Sequence, residues 1–238
     1  MKGFAGTRAV VTGAGRGLGL EFTRQLLAAG AEVFALARKP DRSPGLESLQ
    51  EAHPRALRVA RADVTDEALI GAAHEAIRSV WDGIDLLINN AGTYGRHDAT
   101  LSSLDRDELI GVFDVNVLGP LRVTRILLDL IRRGRSPRVA NLSSLMGSIA
   151  DNHSGGSWAY RISKAALNMA TRNLAHELTP LGIVAVALHP GWVRTDMGGE
   201  NAPLAPQEAV EAMLATIGSL GPDQAGRFLD RNGHPLPY

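Results

Sequence analysis

The chain contains no cysteine among its 238 residues. That absence excludes disulfides, a thiolate nucleophile and cysteine metal ligands, and it leaves the redox compartment undetermined by thiols. Charge of one sign is also lacking: 25 Lys and Arg face 25 Asp and Glu, a formal net charge of zero. The basic turn Arg132-Arg133-Gly134-Arg135 reads as a solvated helix end, so nothing in the charge pattern calls for nucleic acid or an anionic membrane. Long apolar runs are missing as well. No segment approaches the ~18 consecutive apolar residues of a membrane span, and residues 1–6 run into a strand pattern without a signal-type apolar stretch. A cytoplasmic protein is therefore expected. The seven histidines make no ligand spacing, and His176-Glu177 has no second His four residues after the first, so no metal is expected.

What is present is an alternation of two periodicities. Short β-type runs at 8–12, 32–36, 57–61, 86–89, 138–142 and 184–188 alternate with helical patterns at 17–29, 66–81, 105–133, 158–179 and 206–218. Such alternation builds βαβ units, hence a parallel sheet covered on both faces. Thr65 is placed to cap a helix whose first turn holds Asp66 and Glu67, and Pro206 suits a first helical position. No repeat, linker or low-complexity tract divides the chain. The expectation is an α/β fold of the Rossmann type, a doubly wound parallel sheet with helices on both faces, in one domain over 1–238.

Thr12-Gly13-Ala14-Gly15-Arg16-Gly17-Leu18-Gly19 joins the first strand to the first helix, where backbone N–H groups would meet a nucleotide pyrophosphate. The G-x-G-x-x-G pattern fails, because Leu18 or Leu20 falls at the third glycine; the spacing that fits is T-G-x-x-x-G-x-G. Taken alone such a turn could be a packing corner, but its place after the first strand points to phosphate. The second strand ends Leu36-Ala37-Arg38-Lys39, with no carboxylate for a ribose 2′-hydroxyl. Arg38 offers a planar fork matched to a 2′-phosphate, and Arg16 could add a second cation, unless both are solvated surface cations. NADP(H), preferred over NAD(H), is the expected cofactor.

Tyr160 and Lys164 stand four residues apart in a helical segment, with Ser143 and Ser144 upstream. Positions i and i+4 share a helix face. Lowering a tyrosine from its ordinary pKa near ~10 by about 3 units takes roughly 4 kcal/mol of preference for phenolate. One cation at ~4 Å supplies about that at an effective dielectric of ~20. An isolated pair of this spacing is more simply a solvated surface pair.

The pair is not isolated. The glycine pattern, Asn89-Asn90-Ala91-Gly92, Asn116, Ser144, Tyr160-x-x-x-Lys164 and Pro190-Gly191 occur together in this order. The chain thereby resembles the classical short-chain dehydrogenase/reductase family across essentially its whole length. Residues 160–169, 189–199 and the tail 226–238 resemble more narrowly the branch of the C-factor and sniffer carbonyl reductases. The resemblance implies that Ser144 hydrogen-bonds the substrate oxygen, with Ser143 the competitor for that role. It implies that Tyr160 exchanges the proton, that Lys164 binds the nicotinamide ribose and lowers the Tyr160 pKa, and that Asn116 holds a relay water. Asp63 and Val64 would face the adenine, and Asn90, Ala91 and Gly92 would line the cofactor cleft. Pro190, Gly191 and Val193 would contact the cofactor, and Thr195 would touch the nicotinamide amide.

The expected reaction is reduction of a ketone, aldehyde or quinone by NADPH, with no zinc needed and two donors, Ser144 and Tyr160, aimed at the oxygen. Tyr94, Leu145, Met146, His153, Trp158, Trp192 and Met197 are candidates for the substrate wall, with core packing or solvent as the alternative for several. Two other readings stand beside this one: a nucleotide-binding signalling protein of the C-factor type, and an NADP-dependent alcohol dehydrogenase working oxidatively. On the 158–179 helix the Ile162, Ala165, Ala166, Met169 stripe lies opposite Tyr160, and both faces are expected to be buried, one of them against a neighbouring helix or another subunit. A homo-oligomer, dimer or tetramer, is the expectation. Small-molecule substrates, and neither nucleic acid nor membrane, are the expected partners.

Overall fold

The structure is a computed structural model and describes residues 3–238. Its strands are β1 (Arg8–Thr12), β2 (Glu32–Ala37), β3 (Leu57–Arg61), β4 (Leu86–Asn89), β5 (Arg138–Leu142), β6 (Val184–His189) and β7 (Phe228–Asp230). Its helices are α1 (Gly17–Ala28), α2 (Pro44–Ala52), α3 (Glu67–Arg78), α4 (Arg106–Phe113), α5 (Gly119–Ile126), α6 (Leu128–Ile131), α7 (Trp158–Leu178) and α8 (Pro206–Ser219). The strands form one sheet ordered β3-β2-β1-β4-β5-β6-β7, every neighbouring pair parallel.

Strand residues alternate between two cores. Ala9, Val11, Val33 and Ala35 join one, while Val10, Phe34 and Leu36 join the other. Successive side chains leave a strand on opposite faces, so strands apolar on both need cover on both. Phe22 and Leu26 of α1 and Met213, Leu214 and Ile217 of α8 cover the first face; Ile70 and Ile77 of α3, Val123 of α5 and Leu130 of α6 cover the second. The doubly wound parallel sheet expected from the sequence is the fold observed. Its strand order reverses between β1 and β4, and the crevice outside their carboxyl ends is where α/β sheets hold ligands.

Several local expectations are corrected. α2 and β7 were not foreseen: α2 opens on Pro44-Gly45, which reads as a turn, and buries only Leu46, while β7 is three residues long. The helix start after β3 is capped by Asp66, whose carboxylate accepts from the Ala68 and Leu69 amides at 2.9 and 3.1 Å; Thr65 instead bonds Asp63. Pro206 does lie in the first turn of α8. The segment 105–133 is not one helix. A π-turn over Asp114–Leu118 interrupts it, with the Gly119 amide bonding back five residues to Asp114. Pro120 gives the reason: it has no N–H to offer the Asn116 carbonyl four residues back, and its ring crowds that carbonyl. Finally, the two faces of α7 differ. Leu167 and Leu178 are buried, but Ile162 and Met169 are 49% and 63% exposed.

Candidate active site

The turn between β1 and α1 uses three glycines for three separate reasons. Gly13 has φ +65°, and a Cβ there would lie 2.9 Å from Ala91 Cα; Gly17 has φ +53°; a Cβ on Gly19 would lie 2.2 Å from the Gly13 carbonyl oxygen. Left-handed backbone and such close approaches both exclude a side chain. Gly15 meets only ordinary contacts, so T-G-x-x-x-G-x-G is the spacing that the geometry requires. The end of β4 is laced to this turn. Asn90 donates its side-chain amide to the Thr12 and Gly13 carbonyls at 2.9 and 3.2 Å, and Thr12 Oγ1 accepts the Asn90 and Ala91 amides at 3.0 and 3.1 Å. Asn89, one residue earlier, ties strands together through Asn141 Oδ1 at 2.8 Å.

The N-terminus of α1 carries no side-chain cap and no acidic residue in its first turn, whereas α3 and α4 each open on a capping aspartate. Its first amides are thus left facing the crevice, as an anionic pyrophosphate requires. Arg38, at the end of β2, is exposed and makes no ion pair among the described residues, although its charge helps to hold Asp63 below the usual carboxylate range. There burial acts upward, and hydrogen bonds from Thr65 with the fields of Arg38 and Arg122 outweigh it. Arg16 pairs with Asp196 across the crevice mouth, both side chains being 74% exposed.

Four expected residues converge beyond the ends of β4 and β5. Ser143 and Ser144 differ in their partners: Ser143 donates to Asn168 Oδ1 at 2.5 Å in the core, while Ser144 accepts the Met146 amide at 3.2 Å, caps a short turn over Leu145–Gly147 and acts on the Tyr160 phenol. The Lys164 ammonium donates to the Leu142 carbonyl at 2.7 Å and stands 5.6 Å from the centre of the Tyr160 ring. Asn116 is fully buried. Its side chain is used completely, accepting from the Thr93 amide at 2.8 Å and donating to the Thr93 carbonyl at 2.8 Å and to Ser163 Oγ at 2.9 Å. Pro120 offers no N–H to the Asn116 carbonyl four residues back.

Electrostatics correct one expectation. At 5.6 Å a unit charge favours phenolate by about 3 kcal/mol at an effective dielectric of ~20. Desolvation opposes it and prevails. Burial is the largest cause pushing Tyr160 up to about 12, Tyr94 adds to it and Ser144 acts against it; burial likewise pushes Lys164 down to about 8. Burial disfavours both ionised forms, so Lys164 does not carry Tyr160 below its ordinary value.

The family description "short chain dehydrogenase" matches residues 7–204. The chain belongs to the short-chain dehydrogenase family. It is 49% identical over 155 residues to C-signal of Myxococcus xanthus, covering 65% of this chain and 93% of that protein. An NADPH-bound carbonyl reductase from chicken fatty liver superposes with a TM-score of 0.92 at 35% identity, covering 98% of this chain and all of that one. The carbonyl reductase Sniffer of D. melanogaster gives 0.93 at 32% identity, covering 98% of this chain and 100% of that chain. The protein is an NAD(P)-dependent oxidoreductase of this family.

For a short-chain dehydrogenase the remaining expected residues are unevenly placed. Gly92 brings its Cα between Asn116 and Lys164: a Cβ there would be 3.4 Å from Asn116 Oδ1 and 3.8 Å from Lys164 Nζ. Val64 packs against Gly119 beside the π-turn. Pro190 and Gly191, the latter with φ +87°, follow β6; Val193 is buried and bridges Leu204; Thr195 reaches across to Gly17. Leu18 is half-buried against the core. Tyr94 stacks on Tyr160 and its hydroxyl meets Met146 Sδ, and Leu145 is half-buried in the turn after Ser144, whereas Trp192 and Met197 are exposed, Trp158 is partly so, and His153 lies on an exposed loop. Sequence reasoning missed Ser43, whose hydroxyl donates to the Gly15 carbonyl, and Gly147, where a Cβ would sit 2.6 Å from the Lys164 carbonyl carbon. Nothing in the sequence marks Ser43. Gly147, three residues beyond the serine pair, was the available sign of a close approach. Among the described residues no group of three His, Asp or Glu could hold a metal ion, and no helix is long and apolar enough to cross a membrane.

Proposed function

We propose that the protein reduces the carbonyl of a ketone, aldehyde or quinone to an alcohol, using NADPH. The observation that carries this reading is the buried Lys164 ammonium 5.6 Å from the centre of the Tyr160 ring, with the Ser144 hydroxyl acting on the same phenol. When bound, the reduced nicotinamide supplies the hydride. Tyr160, a neutral phenol at physiological pH, gives its proton to the carbonyl oxygen, and Ser144 donates a hydrogen bond to the same oxygen as charge develops there, a contribution of about 3 kcal/mol for one such donor. Lys164 offsets part of the cost of the phenolate left behind, and the Asn116 carbonyl positions a water that leads the proton back to Tyr160. The uncapped N-terminus of α1 takes the pyrophosphate, and Arg38 takes the 2′-phosphate.

NADPH consumption over a panel of carbonyl compounds tests this, with Tyr160→Phe as control. Turnover lost by about 10²-fold or more in the variant is expected; equal turnover in the variant refutes the proton role. Arg38→Ala is expected to weaken NADPH while leaving NADH unchanged, and comparable use of both cofactors by the unaltered protein, unchanged in the variant, refutes the preference. Identity to C-signal favours a second reading, a nucleotide-binding signalling protein, which no turnover in either direction would support. Supplying NADP and alcohols to the same assay reads the oxidative direction. A homo-oligomer formed through the exposed Ile162 and Met169 stripe is part of the proposal, as is a cytoplasmic location; light scattering that gives a monomer removes the former.

A further inference from the structure

Tyr94 follows the Asn90-Ala91-Gly92-Thr93 segment, and its ring lies flat on Tyr160, with centroids 4.3 Å apart and planes 16° from parallel. His97 stacks on the other face of Tyr94 at 3.9 Å and 18°. The Tyr94 hydroxyl sits 2.9 Å from Ser157 Oγ and 3.5 Å from Met146 Sδ. Tyr94 therefore touches the Tyr160 ring, the turn that carries Ser144, and the residue that opens α7.

Two further observations show why this position is rigid. The residue before Tyr94 has both peptide groups held by the Asn116 side chain. The residue after it, Gly95, has φ +76°, and a Cβ there would meet Glu108 Oε1 at 2.8 Å, Val112 Cγ2 at 3.0 Å and Ala159 Cβ at 3.5 Å. The loop is seated on α4 and α7 on both sides of the tyrosine. Ser157 is itself strained: it is a non-glycine residue in the left-handed region, φ +45°, after Gly155 and Gly156 at +62° and +70°. Such a residue costs on the order of 1–2 kcal/mol and persists where its surroundings hold it. Here the side-chain contact on Ser157, three residues ahead of Tyr160, is the Tyr94 hydroxyl, and the Ser157 carbonyl accepts the Arg161 amide.

Resting on the reading of Tyr160 as proton donor, we propose that Tyr94 is a positioning residue for the reaction. Its ring clamps the face of Tyr160 and shuts water from it, while its hydroxyl pins Ser157 and so fixes where α7 begins. The chain of contacts runs from the π-turn at Asn116 through Thr93 to Tyr94 and Tyr160, so the buried asparagine acts on the phenol through the clamp. The groups facing the phenol are Lys164 from α7, Ser144 from the turn after β5, and Tyr94 backed by His97 from the loop after β4; Glu108 of α4 is turned to the Arg96 amide. Tyr94 and burial both hold the Tyr160 pKa up.

The test combines a titration that needs no substrate with a kinetic split. Tyrosinate absorbance is followed against pH in the wild type and Tyr94→Leu, each minus the same protein carrying Tyr160→Phe, which isolates the Tyr160 transition. Tyr160 is expected to ionise at lower pH in Tyr94→Leu than in the wild type. With para-nitrobenzaldehyde and NADPH, kcat of Tyr94→Leu is expected to fall about ten-fold with KM moving less, because a displaced phenol misses its geometry. Tyr94→Phe, which keeps the stack, is expected to restore all but about three-fold of that loss. Ser157→Ala, which removes only the pin, should show the same residual deficit. An unmoved Tyr160 titration in Tyr94→Leu overturns the clamp, as does a change confined to KM, which would make Tyr94 only a wall of the substrate pocket. Should Tyr94→Leu not fold, unchanged kcat in both Tyr94→Phe and Ser157→Ala overturns the proposal. Full turnover by Tyr160→Phe refutes the proton-donor reading instead, and the titration still decides whether Tyr94 clamps the ring.

Discussion

Gly147→Ala is the substitution for which the structure fixes the outcome most closely. Gly147 ends the short turn begun by Ser144, and the turn rests on α7 at its catalytic end. A Cβ at position 147 would lie 2.6 Å from the Lys164 carbonyl carbon, 2.7 Å from Lys164 Cβ and 2.9 Å from the Ala165 amide nitrogen. Comfortable carbon contacts fall at about 3.5–4 Å, so the turn and the helix must part by about 1 Å. Neither can yield by a side-chain rotation, because all three contacts lie at or beside the helix backbone. Overpacking of this kind costs about 1–3 kcal/mol, which for a chain of this size lowers Tm by about 2–4 °C per kcal/mol. The same displacement separates Ser144 from Tyr160 and Lys164, and a misplacement of about 1 Å costs about 10²-fold in turnover. The assay is NADPH-dependent turnover at a temperature where calorimetry shows the variant folded. Gly71→Ala serves as the contrast. It lies inside α3 with nothing within 4 Å of its would-be Cβ, and replacing a helical glycine should add about 0.5–1 kcal/mol of stability. If Gly147→Ala keeps its Tm within about 1 °C and its turnover within about three-fold, the reasoning from close approach is wrong.

Other predictions follow from the same contacts. Asp85 is buried and accepts hydrogen bonds from the Arg8 amide at 2.9 Å, from Arg8 Nη2 at 2.8 Å and from the Arg135 amide at 2.6 Å. Burial works to raise its pKa, but these donors prevail and lower it to about 2. A lowered folded-state pKa stabilises above the unfolded value, so about 2 kcal/mol is present at neutral pH and is lost as pH falls from about 4 through about 2. Urea melts across that range should show the loss in the wild type and its absence in Asp85→Asn. Asn116→Ala leaves the Thr93 peptide groups unpaired, each costing about 1–3 kcal/mol; hydrogen exchange should show the Thr93 amide losing its protection, and retained protection would refute the bonding described. Reductive turnover is expected to fall as pH rises past about 8, where Lys164 loses its proton and with it the charge that favours phenolate. A turnover rate flat from pH 7 to 10 would exclude that role for Lys164.

The fold could be read from the sequence because its signals are local and repeated. Six short apolar runs separated by helical stretches admit little besides a parallel sheet covered on both faces, and all six are strands in the structure. The glycine spacing 13, 17, 19 was legible for the same kind of reason, since left-handed backbone and absent Cβ atoms leave a mark at single positions. Elements without a strong pattern escaped: α2 hides behind Pro44-Gly45, and β7 is too short to show periodicity. The break at Asn116 was written in Pro120, but the apolar pattern continues through it and masks the π-turn.

By itself, then, the sequence determined the six longer strands, the glycine turn and the Tyr160-Lys164 spacing, because each depends on residue type and spacing along one stretch of chain, while Asn116 and Ser144 joined that pair through the resemblance to the short-chain dehydrogenases. Tertiary structure decided how those residues stand toward one another. It turned Ser143 into the core and Ser144 toward Tyr160, tied Arg16 to Asp196, consumed the Asn116 side chain on Thr93, and stacked Tyr94 on Tyr160. It also reversed the expected direction of the Tyr160 pKa. Spacing between Tyr160 and Lys164 predicts the attraction between them, but the opposing cost of drying the site comes from elements far away in sequence, and only their packing sets its size.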